Sequence, residues 1–473
     1  MSSYLLAALH VVLATAVSSH IVLTKSDVRS AIGWTGLVWL TPVIGSLLYL
    51  FLGINLIRRT AGRMRHARTG FTAERRALRR DALAGVSLVA PVWRPLATLT
   101  AQVSAEPLTE GNRIELLEDG DQAYPAMLAA IESAGTSIAF ATYIFDRGKV
   151  AASFVEALGR AVTRGVTVRV LIDGVGARYS RPSMVAELRR RGITVAEFLP
   201  SRLIFVNRYF NLRNHRKILV IDGHLGFTGG MNVRDACVLA DRPRAATRDV
   251  HFRVEGPVVA QMMDAFAFDW RFATDEELAG TAWFPDLVPR GDVLSRGIAD
   301  GPDETNDSLL LVLQGALSEA RHRVWIVTPY FLPEPPLLDA LRVAALRGVD
   351  IRILVPRRGN LPVVTWAMQK QFGRVLEGGC KVGLTPAPFD HSKLMVVDDH
   401  WSLIGSANWD PRSLRLNFEY VVESWSTPFA AQLTELITRK AAEAEWITAR
   451  ELAQRSLAVR LRDGAAWLAQ PYL

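Results

Sequence analysis

The pattern H-x-K-x4-D is written twice in this chain, and that repetition limits the possible folds more than any other feature. The first copy lies in NLRNHRKILVIDGHLGFTGGMNV (211–233), with His215, Lys217 and Asp222 followed by Gly229, Gly230 and Asn232. The second lies in DHSKLMVVDDHWSLIGSAN (390–408), with His391, Lys393 and Asp398 followed by Gly405, Ser406 and Asn408. With 9 His, 7 Lys and 25 Asp in 473 residues, one chance occurrence is expected roughly 0.007 times, a check any motif match needs. Two copies sharing a small-small-x-Asn tail therefore mark a duplicated unit. The aliphatic run from Lys217 to Ile221 reads as a buried strand. Residues two apart on a strand share a face, so His215 and Lys217 are expected to point the same way. The glycines then let the backbone approach whatever those side chains hold.

The duplication extends around the motifs. Ser137–Ile144 reads as a strand, Val150–Thr163 as an amphipathic helix, Thr167–Asp173 as a strand after the turn Arg164-Gly165-Val166, and Ser183–Arg191 as a helix. The same order returns as strand Arg323–Phe331, helix Pro335–Leu346, turn Arg347-Gly348-Val349 and strand Asp350–Pro356. Tyr143 and Tyr330 are offset by 187 residues, Gly165 and Gly348 by 183, and His215 and His391 by 176. Such near-constant offsets mean an internal repeat of about 170 residues. Alternating strands and helices predict an α/β fold, with a mixed sheet flanked by helices in each repeat and the two repeats packed about a pseudo-two-fold. The expected boundaries are 109–275 for the first repeat and 276–450 for the second. Glu435–Leu468 reads as helical, with 451–473 as a C-terminal helix.

Residues 1–60 read as a membrane anchor. Gly33–Ile57 is uncharged for 25 residues, enough to cross a hydrocarbon core of about 30 Å. A further span is expected over about 4–23, giving two transmembrane helices. Arg58, Arg59, Arg63, Arg65 and Arg68 follow the second span, whereas the intervening loop holds Lys25 and Arg29 against Asp27. The positive-inside rule then places the rest of the chain in the cytoplasm. Residues 61–108 read as a basic linker, with Arg75, Arg76, Arg79 and Arg80 on a short helix. Val86–Trp93 is expected to lie on the membrane interface or against the following domain. A net charge of +8 and a pI of 9.7 call for an anionic partner. Cys237 and Cys380 stand alone, without metal-type or disulfide spacing.

If the two motifs meet across the pseudo-two-fold, one site holds two His, two Lys and two Asn. Two imidazoles can divide nucleophilic attack from proton transfer. Ammonium groups and carboxamides suit the non-bridging oxygens of a phosphoryl group, where charge builds. A lysine beside each histidine repels a cation, and no ligand cluster completes a zinc site, so neither a metal nor a cofactor is expected.

The paired H-x-K-x4-D motifs with GGxN and GSxN tails resemble the phospholipase D superfamily. The wider pattern is similar to bacterial cardiolipin synthases: PVIGSLLYLFLGINLIRR, GNRIELLEDG, TYIF, NHRKILVIDG, FTGGMN, RDVHFRVEGP, DW at 269, ADGPD, TPYFLPEPPLL and GSANWDPRSLRLNFE. These features cover nearly the whole chain. The resemblance implies that the catalytic set is His215, Lys217, Asp222, His391, Lys393 and Asp398. His215 would be the nucleophile of a phosphatidyl–histidine intermediate and His391 the general acid and base, with Lys217, Lys393, Asn232 and Asn408 holding phosphate. Asp222 and Asp398, four residues beyond each lysine, are expected to be structural. Asp249 and Glu419 are expected to orient the histidines, Asp249 serving His215 and Glu419 serving His391. Two positions depart from the family pattern: Asp146-Arg147-Gly148-Lys149 replaces an acidic pair, and Asp390 stands before His391 where an apolar residue is usual.

The implied reaction passes a phosphatidyl group from one phosphatidylglycerol to another at the bacterial inner membrane, giving cardiolipin and glycerol. The alternatives are a phospholipase D-type hydrolase or a transphosphatidylase using another donor such as phosphatidylethanolamine. A nuclease fits less well, and nucleic acid is not an expected partner.

Overall fold

The computed structural model describes residues 2–25, 28–41, 43–50, 82–83, 85–104, 106–200, 212–302 and 307–470. Two units form, Met1–His66 and Ala67–Leu473. In the first, helix Ser2–Thr24 is followed by Val28–Leu40 and a short helix, Ile44–Leu48. Ala7–Thr24 is the one stretch among the described residues that is long and apolar enough to cross a membrane. The expected second span is therefore not one continuous helix over its described part. Its helix stops at Leu40, ahead of Pro42, because a proline lacks an N–H and disfavours helix in the residue before it. Residues 51–57, the five arginines from Arg58 to Arg68 and the Arg75–Arg80 stretch lie outside the described residues.

In the second unit the first repeat contributes strands β1 (Thr109–Glu118), β2 (Ser137–Thr142), β3 (Thr167–Asp173), β4 (Thr194–Phe198), β5 (Arg213–Asn214), β6 (Ile218–Ile221), β7 (Leu225–Gly229), β8 (Thr247–Arg248) and β9 (Val250–Glu255). The second contributes β10 (Val293–Asp300), β11 (Arg323–Val327), β12 (Asp350–Pro356), β13 (Lys381–Thr385), β14 (Phe389–Asp390), β15 (Leu394–Val397), β16 (Trp401–Gly405), β17 (Asn417–Trp425) and β18 (Glu445–Ile447). Each repeat runs in mirrored order, β4-β3-β2-β6-β7-β9-β1 and β10-β17-β16-β15-β11-β12-β13, and antiparallel pairing of β1 with β10 joins them into one mixed sheet. The β2-β3-β4 and β11-β12-β13 ladders are parallel, as their helical crossovers require.

Helices cover both faces. Asp119–Ser133, Lys149–Thr163 and Met184–Arg190 close an apolar core on the first repeat's outer face. Ser308–Glu319, Pro335–Leu346 and Pro362–Glu377 do so on the second. A third core lies under helices Val258–Thr274 and Thr427–Glu443, one from each repeat, and includes Trp270, Trp325, Phe252 and Phe429. Each such side chain, fully buried, stabilises by about 2–3 kcal/mol, so this shared core binds the repeats together.

Val86–Trp93 takes one of its two expected placements, against the globular domain, and one other expectation changes. Helix Arg94–Ser104 packs on Ser308–Glu319, and Val89, Trp93 and Leu96 enter the second repeat's core, so this part of the linker belongs to the globular unit. The expected helix over Glu435–Leu468 is interrupted: Thr427–Glu443 ends, β18 pairs antiparallel with β13, and Ala449–Ala453 and Leu457–Leu468 follow. The edge of β13 would otherwise present unpaired backbone groups.

Candidate active site

Each motif strand begins after its lysine, so His215 to Lys217 and His391 to Lys393 are extended segments leading into β6 and β15. What precedes them fixes the site. β5 pairs in parallel with Asn417 and Phe418 at the start of β17, and the His215 N–H donates to the Phe418 carbonyl at 2.9 Å. β14 pairs in parallel with β8, and the His391 N–H donates to the Arg248 carbonyl at 2.7 Å. Each histidine is thus held beside the other repeat's carboxylate strand.

The orienting pairs are therefore crossed. His215 Nδ1 lies 3.0 Å from Glu419, and His391 Nδ1 lies 2.8 Å from Asp249. Asp249 and Glu419 do contact histidines, but each contacts the other repeat's and not its own, contrary to the pairing expected from sequence. A carboxylate accepts the Nδ1 proton, which leaves the lone pair on Nε2. The side chains of His215 and His391 are only 11% and 13% exposed, so Nε2 is the working edge.

Each carboxylate has its own support. Glu419 also accepts hydrogen bonds from Ser406 Oγ, Ser413 Oγ and Asn417 Nδ2. Burial alone would raise its pKa, yet His215, Lys217 and Ser406 leave it below the usual carboxylate value. Asp249 accepts the Val250 N–H at 2.8 Å, and a Cβ on Gly230 would lie 2.3 Å from its Oδ1. The GG and GS tails differ for this reason: Gly230 makes room for Asp249, while Ser406 donates to Glu419.

The lysines fold back on the histidines. Lys217 Nζ donates to the His215 carbonyl at 2.6 Å, and Lys393 Nζ donates to the His391 carbonyl. Burial pushes the Lys217 ammonium down to about 7, with Lys393 adding to the effect, and Lys393 down to about 8. Burial and the neighbouring lysines also lower both imidazoles, His391 to about 4. At neutral pH both histidines are neutral, and the lysines are poised to take up protons when an anion arrives. Tyr143 packs edge-on to His215 at 5.3 Å and Tyr330 to His391 at 6.3 Å, so the sequence landmarks prove to be walls of the site.

His215, His391, Asn232 and Asn408 line one cavity of about 840 Å³ between the repeats. Asn232 Oδ1 accepts the Ile144 N–H at 3.1 Å, which leaves its NH2 to donate.

The motif aspartates stand apart. Asp222 has φ 49° in the β6–β7 turn and accepts the N–H groups of Gly135, Thr136 and Ser137 at 2.7–2.8 Å. Asp398 has φ 51° in the β15–β16 turn and accepts those of Arg321, His322 and Arg323 at 2.8 Å. Both hold backbone turns, as expected for structural residues, and neither lines the cavity.

The Asp390 departure has a packing cause. In the first repeat Arg216 pairs with Asp269 at 2.8 Å beneath the site. In the second, Lys440 stands where Asp269 does and pairs with Asp390 at 2.5 Å. Asp390 is equivalent to Asn214, which donates to Asp269 at 2.7 Å, so the buried acid sits on the helix in the first repeat and beside the histidine in the second, and Asp390 does not line the cavity. Asp146 accepts from Arg234 Nε at 3.1 Å and Ser180 Oγ at 2.7 Å on the flank of the site.

Residues 127–270 and 313–440 match the family described as "Cardiolipin synthase, PLD-like domain", and residues 5–53 match "Phospholipase_D-nuclease N-terminal". The chain is 31% identical over 459 residues to "Major cardiolipin synthase ClsA" of Bacillus subtilis (strain 168), covering 95% of each. It is 30% identical over 448 residues to "Cardiolipin synthase" of Geobacillus kaustophilus (strain HTA426), covering 93% of this chain and 88% of that one. Among solved structures, phosphatidylserine synthase of Haemophilus influenzae Rd KW20 superposes with a TM-score of 0.63 at 15% identity, over 80% of this chain and all of that one, a likeness of fold. With matches across both repeats and nearly its full length, the chain belongs to the cardiolipin synthase family of phospholipase D-like proteins.

Proposed function

We propose that this protein is a phosphatidyltransferase that makes cardiolipin and glycerol from two molecules of phosphatidylglycerol. The observation that carries the reading is the pair of imidazoles, each fixed through Nδ1 by a carboxylate of the other repeat, facing one cavity. As the anionic donor phosphodiester binds, His391 takes up a proton on Nε2; His215 Nε2 then attacks the donor phosphorus while His391 gives that proton to the departing glycerol oxygen. His391 then takes the proton of the second phosphatidylglycerol's hydroxyl as that oxygen attacks the phosphatidyl–histidine. Lys217, Lys393, Asn232 and Asn408 hold the non-bridging oxygens as charge builds there. The ammonium groups supply the positive charge that a metal gives elsewhere, so activity should survive EDTA.

Residues 7–24 anchor the enzyme in the bacterial inner membrane, and the arginines from Arg58 to Arg68 favour a cytoplasmic active site. Modification of cysteines introduced beside the site by a membrane-impermeant thiol reagent in intact cells would contradict that side.

The test of function is mass spectrometry of lipids after incubating the purified full-length protein with phosphatidylglycerol alone. Cardiolipin and free glycerol in equal amounts are expected. Phosphatidic acid without cardiolipin would make the protein a hydrolase.

A further inference from the structure

The catalytic groups obey the pseudo-two-fold, but the cavity around them does not. Arg213 lies two residues before His215, and the equivalent position before His391 is Phe389. Arg412 lies four residues after Asn408, and the equivalent position after Asn232 is Ala236. All four line the same cavity. The two arginines come from different repeats yet line the same cavity: burial and the Arg213 charge lower the Arg412 guanidinium against the opposing pull of the Asp410 carboxylate, and Tyr143 and Tyr179 share its surroundings. Arg213 itself is buried, with one guanidinium nitrogen donating to the Leu212 carbonyl at 2.7 Å. On the other side Phe389 packs on His391 with ring centroids 5.9 Å apart. At these positions one flank carries two guanidinium groups, with the Asp410 carboxylate beside Arg412, where the other carries Phe389 and Ala236; Arg234 and Arg358 line the cavity elsewhere.

We propose that Arg213 and Arg412 form a second anion subsite, which binds the phosphodiester of the acceptor phosphatidylglycerol. This rests on the phosphatidyl-transfer reading above. In the proposed reaction the lysines and asparagines beside the histidines hold the reacting phosphorus, so an off-centre guanidinium pair meets a different phosphate. The acceptor carries one three carbons from its attacking hydroxyl. Arginine binds such an anion through paired N–H donors. When the hydroxyl oxygen bonds to phosphorus, the P–N bond to His215 breaks, its electron pair returns to Nε2, and the hydroxyl proton passes to His391. The arginines position the acceptor for that step. Water and free glycerol bear no phosphate and gain nothing from them, so the subsite favours synthesis over hydrolysis.

The test uses the full-length protein with phosphatidylglycerol and isotopically labelled glycerol in one vessel. Incorporation of label into phosphatidylglycerol needs the donor site and both histidines but no second phosphate. Cardiolipin formation needs all of them. In Arg213→Gln and Arg412→Gln, the ratio of cardiolipin to labelled phosphatidylglycerol should fall about 10- to 100-fold at subsaturating lipid, as expected for lost charged hydrogen bonds. Arg213→Lys and Arg412→Lys should restore part of it. A ratio measured in one vessel does not depend on how much of a variant folds. An unchanged ratio would overturn the inference. Label exchange by the unaltered protein without any cardiolipin would instead sink the synthase reading, and the acceptor subsite with it.

Discussion

His215 shares its Nδ1 proton with Glu419, 204 residues further along the chain and in the other repeat. The carboxylate fixes the imidazole's tautomer and stabilises imidazolium when it forms. Replacing Glu419 by Gln should lower turnover on the order of 10²- to 10⁴-fold, as loss of the orienting acid does in other His-based sites. In spectra of the 15N-histidine-labelled protein, the His215 resonances should move in Glu419→Gln while those of His391 stay. The reverse pattern would contradict crossed pairing.

The lysines set a pH signature. Lys217 and Lys393 sit at about 7 and 8 when folded, below the ordinary lysine value. Between those values and about 10 the unfolded chain holds protons that the folded chain lacks, so their contribution to stability rises with pH across that window and is constant, at its least favourable, below it. An anion in the site reverses the deficit. Binding of a phosphate analogue at pH 8 should therefore take up protons, seen as a dependence of calorimetric enthalpy on the buffer's ionisation enthalpy. No uptake would mean that both lysines are already fully charged.

Asp222 and Asp398 each hold three backbone N–H groups far from the cavity. Asp222→Asn or Asp398→Asn should cost about 1–3 kcal/mol of stability, the effect of losing charged hydrogen bonds, and lower the melting temperature. Activity per folded molecule should persist. Loss of chemistry without loss of stability would place them in the catalytic set.

The buried pair Asp390–Lys440 predicts a stability effect as well. Lys440→Met strands a buried carboxylate and should cost about 3–5 kcal/mol, whereas pairing it with Asp390→Leu should recover most of the loss. A double variant no better than the single in a melting experiment would argue against the pair.

Much of this was legible in the chain. Two copies of a rare spacing gave the repeats, and the near-constant offsets gave the strand–helix order. Asp249 and Glu419 were identifiable as residues, but not their partners. Each lies about 30 positions after its own repeat's histidine, and only the parallel pairing of β5 with β17 and β14 with β8 carries it across. Asp390 reads in sequence only as a departure beside His391, because its partner Lys440 sits on a distant helix. The break after Glu443 left a visible trace: Thr448 and Glu451 form a capping box, a pattern that marks a new helix start. Apolar periodicity over Glu435–Leu468 outweighed it. Arg412 falls within the GSANWDPRSLRLNFE run and Arg213 two residues before His215, but that they share one cavity depends on the folded interface.

Neither repeat owns a complete active centre. Each lends its acid to its twin and borrows one back, so the polypeptide works as an intramolecular dimer. A lesion at Asp249 disarms the second repeat's histidine, and one at Glu419 disarms the first's. Inactivating one repeat cannot leave a half-active enzyme. The two sequences are thereby tied to a common evolutionary fate, free to diverge along the cavity flanks, as Arg213 and Phe389 have, but not in the reciprocal contacts between them.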